Sequence, residues 1–300
     1  MNENQARASV GTSGWNKPKW RGHFYPPGLV QRREFEYATG HLRSLEINTT
    51  FHGLPRRSTF LNWRAEAPDG FLFAVKGSRE VTHDHRLRTP ETDVARFFGP
   101  GPLMLQEKLG PVLWQTPPSL SFHPDVTEDF LAALPHSVRD AQLLHERLGL
   151  EEGASRLSEL PDRPIRHAFE VRHESFLAPG FPELLRSHDV AAVVTNSPDW
   201  PEILDVTSDF VYVRLHGDAN HFPDGYDDAT LDLWAERVVA WLSGESCPDN
   251  RGRDVFVYFD NPDHEGIRSP FDAMRLQRRL DDAEESAPSG PGPTFPALLW

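Results

Sequence analysis

Ser44-Leu45-Glu46-Ile47-Asn48-Thr49-Thr50-Phe51 is the stretch on which the reading of this chain turns. Glu46, Asn48 and Thr50 alternate with apolar neighbours, so in an extended strand they share one face. A lone carboxylate on an inward face costs roughly several kcal/mol unless a cation meets it. Glu46 therefore demands a partner, and the interior of a barrel can supply one from other strands.

Outward from there, short apolar, β-branched or aromatic runs recur at residues 9–13, 72–76, 112–115, 168–171, 191–195, 210–215 and 255–259. Each ends on a polar residue or glycine, and stretches of helical length separate most of them. With 44–49 they number eight. Near-continuous apolar strands belong to sheets covered on both faces. The pattern predicts an α/β fold, a single TIM-type (β/α)8 barrel, with a doubly wound open sheet as the alternative.

Apolar residues return every three or four positions over 126–148, 231–242 and 269–280, which predicts helices there. Thr127 supplies an acceptor at the start of the first, and Gly149 follows its end. Pro198 and Pro201 discourage a helix between strands six and seven, so that crossover is expected to be irregular. Residues 1–280 form the expected barrel. Residues 281–300, acidic and then rich in Pro, Gly and Ser, read as a mobile tail.

Charge and cysteine content narrow the function. The 31 Lys and Arg against 45 Asp and Glu give a formal net charge of -14, which repels nucleic acid and anionic membranes at long range. The single Cys247 excludes an internal disulfide framework and a cysteine-based zinc cluster. Its Ser-Cys-Pro-Asp setting reads as surface, and no G-x-S-x-G elbow supports a serine nucleophile. The polar start of the chain and the lack of any long apolar run predict a soluble cytoplasmic protein.

In a barrel the strand C-termini and the loops after them build the site. Strand one ends in Gly11-Thr12-Ser13-Gly14-Trp15, where Trp15 and Trp20 suggest an aromatic wall. Lys76 ends strand three, with Arg79, Thr82 and His83 behind it. Gln115 ends strand four and is held by Pro117 and Pro118. Strand five gives Glu170, Arg172 and His173, strand seven Arg214 and His216, and strand eight Asp260 and Asn261. This set is locally basic in an acidic chain and suits an anion, phosphate above all, which arginine grips with two parallel donors. The expected binding residues are Trp15, Asn48, Lys76, His83, Gln115, Arg172, Arg214 and Asn261. Glu46, Glu170, His173 and His216 are the expected proton carriers. The competing reading is a buried ion network in which Glu46, Glu170, Arg172 and Arg214 neutralise one another. His83, Glu170, His173, His216 and Asp260 offer metal-binding atom types, but no H-E-x-x-H spacing accompanies them and no metal or other cofactor is expected.

Gly11-Thr-Ser-Gly-Trp15, Leu45-Glu-Ile-Asn-Thr-Thr-Phe51, Phe73-Ala-Val-Lys76 with Thr82-His83, and Leu109-Gly110 through Gln115-Thr-Pro-Pro118 continue into Phe169-Glu-Val-Arg-His173, Val213-Arg-Leu-His-Gly217 and Tyr258-Phe-Asp-Asn261. With these ordered motifs the chain resembles the DUF72 family, also called YecE-like proteins, from about residue 10 to 280. The resemblance implies a TIM barrel and a family without an established activity, distantly similar to metal-using sugar isomerases and endonuclease IV. Asn196 stands where the family suggests an acidic residue, and Phe176 where it often places Trp. The leading expectation is an acid-base enzyme of hydrolase or isomerase type acting on a small anionic ligand. The alternatives are a metal-assisted phosphodiesterase or repair-type nuclease, and a non-catalytic metabolite-binding or scaffold protein.

Overall fold

In a computed structural model, described for residues 6–99, 101–218, 220–260 and 266–286, eight parallel strands close into a barrel in sequence order. They are β1 (Ala8–Ser13), β2 (Ser44–Ile47), β3 (Leu72–Lys76), β4 (Leu109–Gln115), β5 (His167–Glu170), β6 (Val190–Asn196), β7 (Phe210–Leu215) and β8 (Asp254–Phe259). All eight expected strands are present, and β1 pairs with β8 to shut the sheet. The helices are α1 (Glu34–His41), α2 (Thr49–His52), α3 (Arg57–Glu66), α4 (Pro90–Phe98), α5 (Pro124–Ala132), α6 (Val138–Arg147), α7 (Glu151–Ser158), α8 (Gly180–Ser187), α9 (Asp228–Ser243) and α10 (Ser269–Ser286).

Strand alternation builds two cores. Outward residues such as Trp114 pack under the helices, where that ring meets Phe97 at 5.2 Å and Phe130 at 5.4 Å. Inward residues fill the bore, where Phe210, Tyr212, Phe256 and Tyr258 pack with the small Ala74, Ala168 and Ala191. Along β7 the inward series runs Phe210, Tyr212, Arg214, so the bore changes from apolar to charged towards the strand C-termini. Gly11 is required by close approach, since a Cβ there would lie 1.8 Å from the Ser44 carbonyl oxygen.

Three local expectations are corrected. The stretch 126–148 is two helices, α5 and α6, because Pro135 cannot continue a helix. Thr127 lies inside α5, whose first residue is Pro124, and the side-chain cap belongs to Ser137, which accepts from the Asp140 N–H at 3.0 Å at the start of α6. The last helix runs past Leu280 to Ser286, so the first six residues assigned to the tail are helical; residues 287–300 lie outside the described residues. The crossover from β6 to β7 contains no helix, in keeping with Pro198 and Pro201. Among the described residues no helix is long and apolar enough to cross a membrane.

Candidate functional site

The C-terminal mouth of the barrel holds a cavity of about 370 Å³, bounded by Asn48, Phe51, His52, Lys76, Gln115, Arg172, Trp200, Arg214, His216 and Asp260. That volume suits a small molecule. Its floor is an ion network built by inward positions of five strands and their ends. Arg214, 1% exposed, donates from Nε and Nη2 to the two oxygens of Glu46 at 3.1 and 2.9 Å. Its Nη1 reaches Glu170 at 2.8 Å, and Nη2 also faces Ser13 at 3.2 Å and Asp260 at 3.4 Å. Glu46 further accepts from Ser13 at 2.9 Å and Tyr212 at 2.7 Å.

Both glutamates are fully buried, so these donors replace the hydration each carboxylate has lost. Burial pushes the Glu170 carboxyl up, but Arg214 and then Arg172 pull it well below the usual carboxylate range. Glu170 therefore holds no proton to give at neutral pH. Glu46 and Arg214 engage one another through both carboxylate oxygens, and Arg214 also borders the cavity.

The walls are different. Arg172 gives its Nε to Glu170 at 2.9 Å, while its guanidinium lies 3.6 Å over the Trp200 ring; among the described residues its terminal nitrogens carry no hydrogen bond. Lys76 donates to Gln115 Oε1 at 2.7 Å and sits 4.4 Å over the Phe51 ring. Burial, and then Arg214, lowers its pKa to about 8. His216 packs edge-on against Trp200 at 4.7 Å, with Nε2 3.3 Å from Arg214 and 3.8 Å from Glu170. Burial, and then Arg214, lowers its pKa to about 4, so the ring is neutral at pH 7. Asp260 bridges Arg214 and Lys17, the latter at 3.3 Å. The amide oxygen of Asn48 is buried without a donor, while its nitrogen donates to Ser13.

Of the expected site residues, Asn48, Lys76, Gln115, Arg172, Arg214 and His216 bound the cavity, and Glu46 and Glu170 lie in the network beneath it. Trp15 does not bound it: the ring packs on Phe35 and Trp63 at 5.3 Å each. Trp20 is fully buried and donates to the Gly266 carbonyl at 3.2 Å. His83 stands behind Phe51, its ring 4.9 Å from it, and burial followed by Arg79 lowers its pKa to about 4. His173 accepts from the Ser175 N–H at 3.1 Å, closing the turn after β5. Arg79 pairs with Asp84 at the surface. Asn261 lies outside the described residues. Thr50, placed by alternation on the strand, instead lies in α2, where its hydroxyl is within donating distance of the Lys76 and Ile47 carbonyls.

Sequence reasoning missed Phe51, His52 and Trp200 as cavity residues. Trp200 had a signal, because an aromatic between two prolines in a crossover that cannot be helical must lie in a loop near the mouth. Cys247 is buried, not superficial, with its thiol pointing at the Trp241 carbonyl and its pKa raised by burial. Asn196 turns from the mouth to accept from the Tyr226 hydroxyl at 2.8 Å. The one described group with metal-ligand spacing is Glu80, His85 and Asp93, none of which bounds the cavity.

The family model described as "Protein of unknown function DUF72" matches residues 9–296. The chain belongs to the DUF72 family. Solved DUF72 proteins share its fold: one from Thermotoga maritima is 24% identical, with a TM-score of 0.65 over 92% of this chain and 99% of that one. Another from Enterococcus faecalis is 16% identical, with a TM-score of 0.61 over 93% and 99%. The curated UPF0759 protein YunF of Bacillus subtilis is 25% identical over 114 residues, spanning 36% of this DUF72 chain and 39% of that relative.

Proposed function

We propose that this DUF72 protein is an acid-base enzyme, of hydrolase or isomerase type, that takes a small carboxylate- or phosphate-bearing compound into the mouth of its barrel. One observation carries the reading. Glu46, Glu170 and Asp260 are met by Arg214, Arg172 and Lys17, which among the described residues leaves Lys76 as the uncompensated cation beside the cavity. In a chain of net charge -14, a positive excess at a partly desolvated site favours an anion. The terminal nitrogens of Arg172, steadied on Trp200, supply a second set of donors. The buried Asn48 oxygen lacks a donor, a deficit of about 1–3 kcal/mol that a ligand hydroxyl would relieve.

The expected three-cation seat thus narrows to Lys76 and Arg172, since the donors of Arg214 are committed to carboxylates. The expected proton carriers narrow as well. His216 is the neutral base beside the cavity and Lys76 the acid nearest neutrality. The test is thermal unfolding against inorganic phosphate, since a ligand bound only to the folded state raises its stability. The melting temperature should rise with phosphate, less so above pH 8 as Lys76 loses its charge. No rise, or an equal rise in the Lys76→Met and Arg172→Met variants, would sink the reading.

A further inference from the structure

The chain has only four lysines among its 31 cationic residues: Lys17, Lys19, Lys76 and Lys108. Their surroundings differ sharply. Lys108 is buried, but its ammonium donates to the Arg64 and Ala67 carbonyls at the end of α3. Lys17 pairs with Asp260, and Lys19 is exposed. Lys76 alone is half-buried at the wall of a cavity. It has no ion pair among the described residues, its one hydrogen bond is to a neutral amide, and an aromatic ring lies beneath it.

Those surroundings favour the neutral amine, because burial strips water from the ammonium and Arg214 repels it by more than the Phe51 face and the Gln115 oxygen restore. We propose that Lys76 is a nucleophile that forms an imine with a small aldehyde or ketone whose carboxylate or phosphate rests on Arg172. The proposal rests on reading the mouth as an anion site and adds the class of substrate and the atom that attacks it. The Nζ lone pair forms the C–N bond while the carbonyl π pair moves to oxygen. Both amine protons pass to that oxygen, which leaves as water, and the imine remains. The charged and titratable groups around Nζ are Glu46 on β2, Glu170 and Arg172 at the end of β5, Arg214 on β7, and His83 after β3. With a pKa of about 8, roughly two hundredfold more Lys76 than an ordinary lysine is neutral at pH 7. The protonated form draws the anion in, and the neutral form attacks.

The full chain would be incubated with glyoxylate and cyanoborohydride, which reduces the imine to a stable carboxymethyl amine, and each lysine quantified by peptide mass spectrometry. Lys76 should be labelled at least about tenfold faster than Lys19 at pH 7, with a rate that climbs to a plateau above pH 8. Inorganic phosphate should slow it. Lys76→Arg should remove the adduct while retaining stabilisation by phosphate, which separates loss of the amine from loss of the fold. Equal or slower labelling of Lys76 than of Lys19 overturns the proposal. Phosphate binding without an adduct would leave the anion site standing and reject the imine. An adduct that phosphate neither slows nor accompanies with binding would support the amine and reject the anion site.

Discussion

Arg214 and Lys76 carry the same charge at the same end of the same barrel, and the protein treats them in opposite ways. Arg214 is surrounded by Glu46, Glu170 and Asp260, with no donor left for a ligand. Lys76 has a neutral amide, an aromatic face and open space. The first arrangement spends its charge within the fold; the second leaves charge and reactivity available. A basic rim in the sequence is therefore not one feature, and the carboxylates decide which cations can act.

The largest effect should come from breaking the network. Glu46→Gln removes one of the two fully buried carboxylates on Arg214 and leaves Glu170 and Asp260 to hold it, so the loss should approach but not exceed the roughly 3–5 kcal/mol of a buried pair broken outright, which chemical denaturation would measure. Acid should weaken the fold next. His216 has a folded pKa of about 4, and His167, buried against the Pro135 carbonyl, one of about 3, both below the unfolded value of about 6.5. The unfolded chain binds more protons in that interval, so stability falls as pH drops from 6.5 towards 4. His216 accounts for roughly 2–4 kcal/mol of that loss, and His216→Gln should flatten the curve there.

Lys76→Met should do the reverse of Glu46→Gln. Its folded pKa lies below the unfolded one, so the charged amine costs stability below pH 8, and the cost fades as pH rises to about 10.4. The methionine variant should be more stable than the parent at pH 7, by roughly 1–3 kcal/mol. The smallest effect is expected from Trp200→Leu, which removes the ring under Arg172 and should weaken phosphate binding by about 1 kcal/mol in calorimetry while hardly changing the fold.

The barrel was legible because eight short apolar strands are separated by segments of helical length, and alternation along β2 placed Glu46 on the inner face, where Arg214 meets it. Parity fails where a strand stops. β5 ends at Glu170 and β2 at Ile47, so His173 takes its direction from a turn and Thr50 from α2. Trp15 and Trp20 suggested an aromatic wall of the site, yet the loop after β1 folds them back onto Phe35, Trp63, Phe24 and Tyr25. Nor could spacing reveal which cations the carboxylates would claim, because pairing across the bore depends on strand register and closure.

Titration of Lys76 itself shows most directly whether its ammonium is held short of compensation at the mouth of the barrel. With four lysines, selective isotope labelling and nuclear magnetic resonance can follow its side chain in the whole 300-residue chain, Lys76→Arg assigning the signal. Its midpoint should lie near 8 and move upward when inorganic phosphate is added. A midpoint at the ordinary lysine value of about 10.4, unmoved by phosphate, would contradict both expectations.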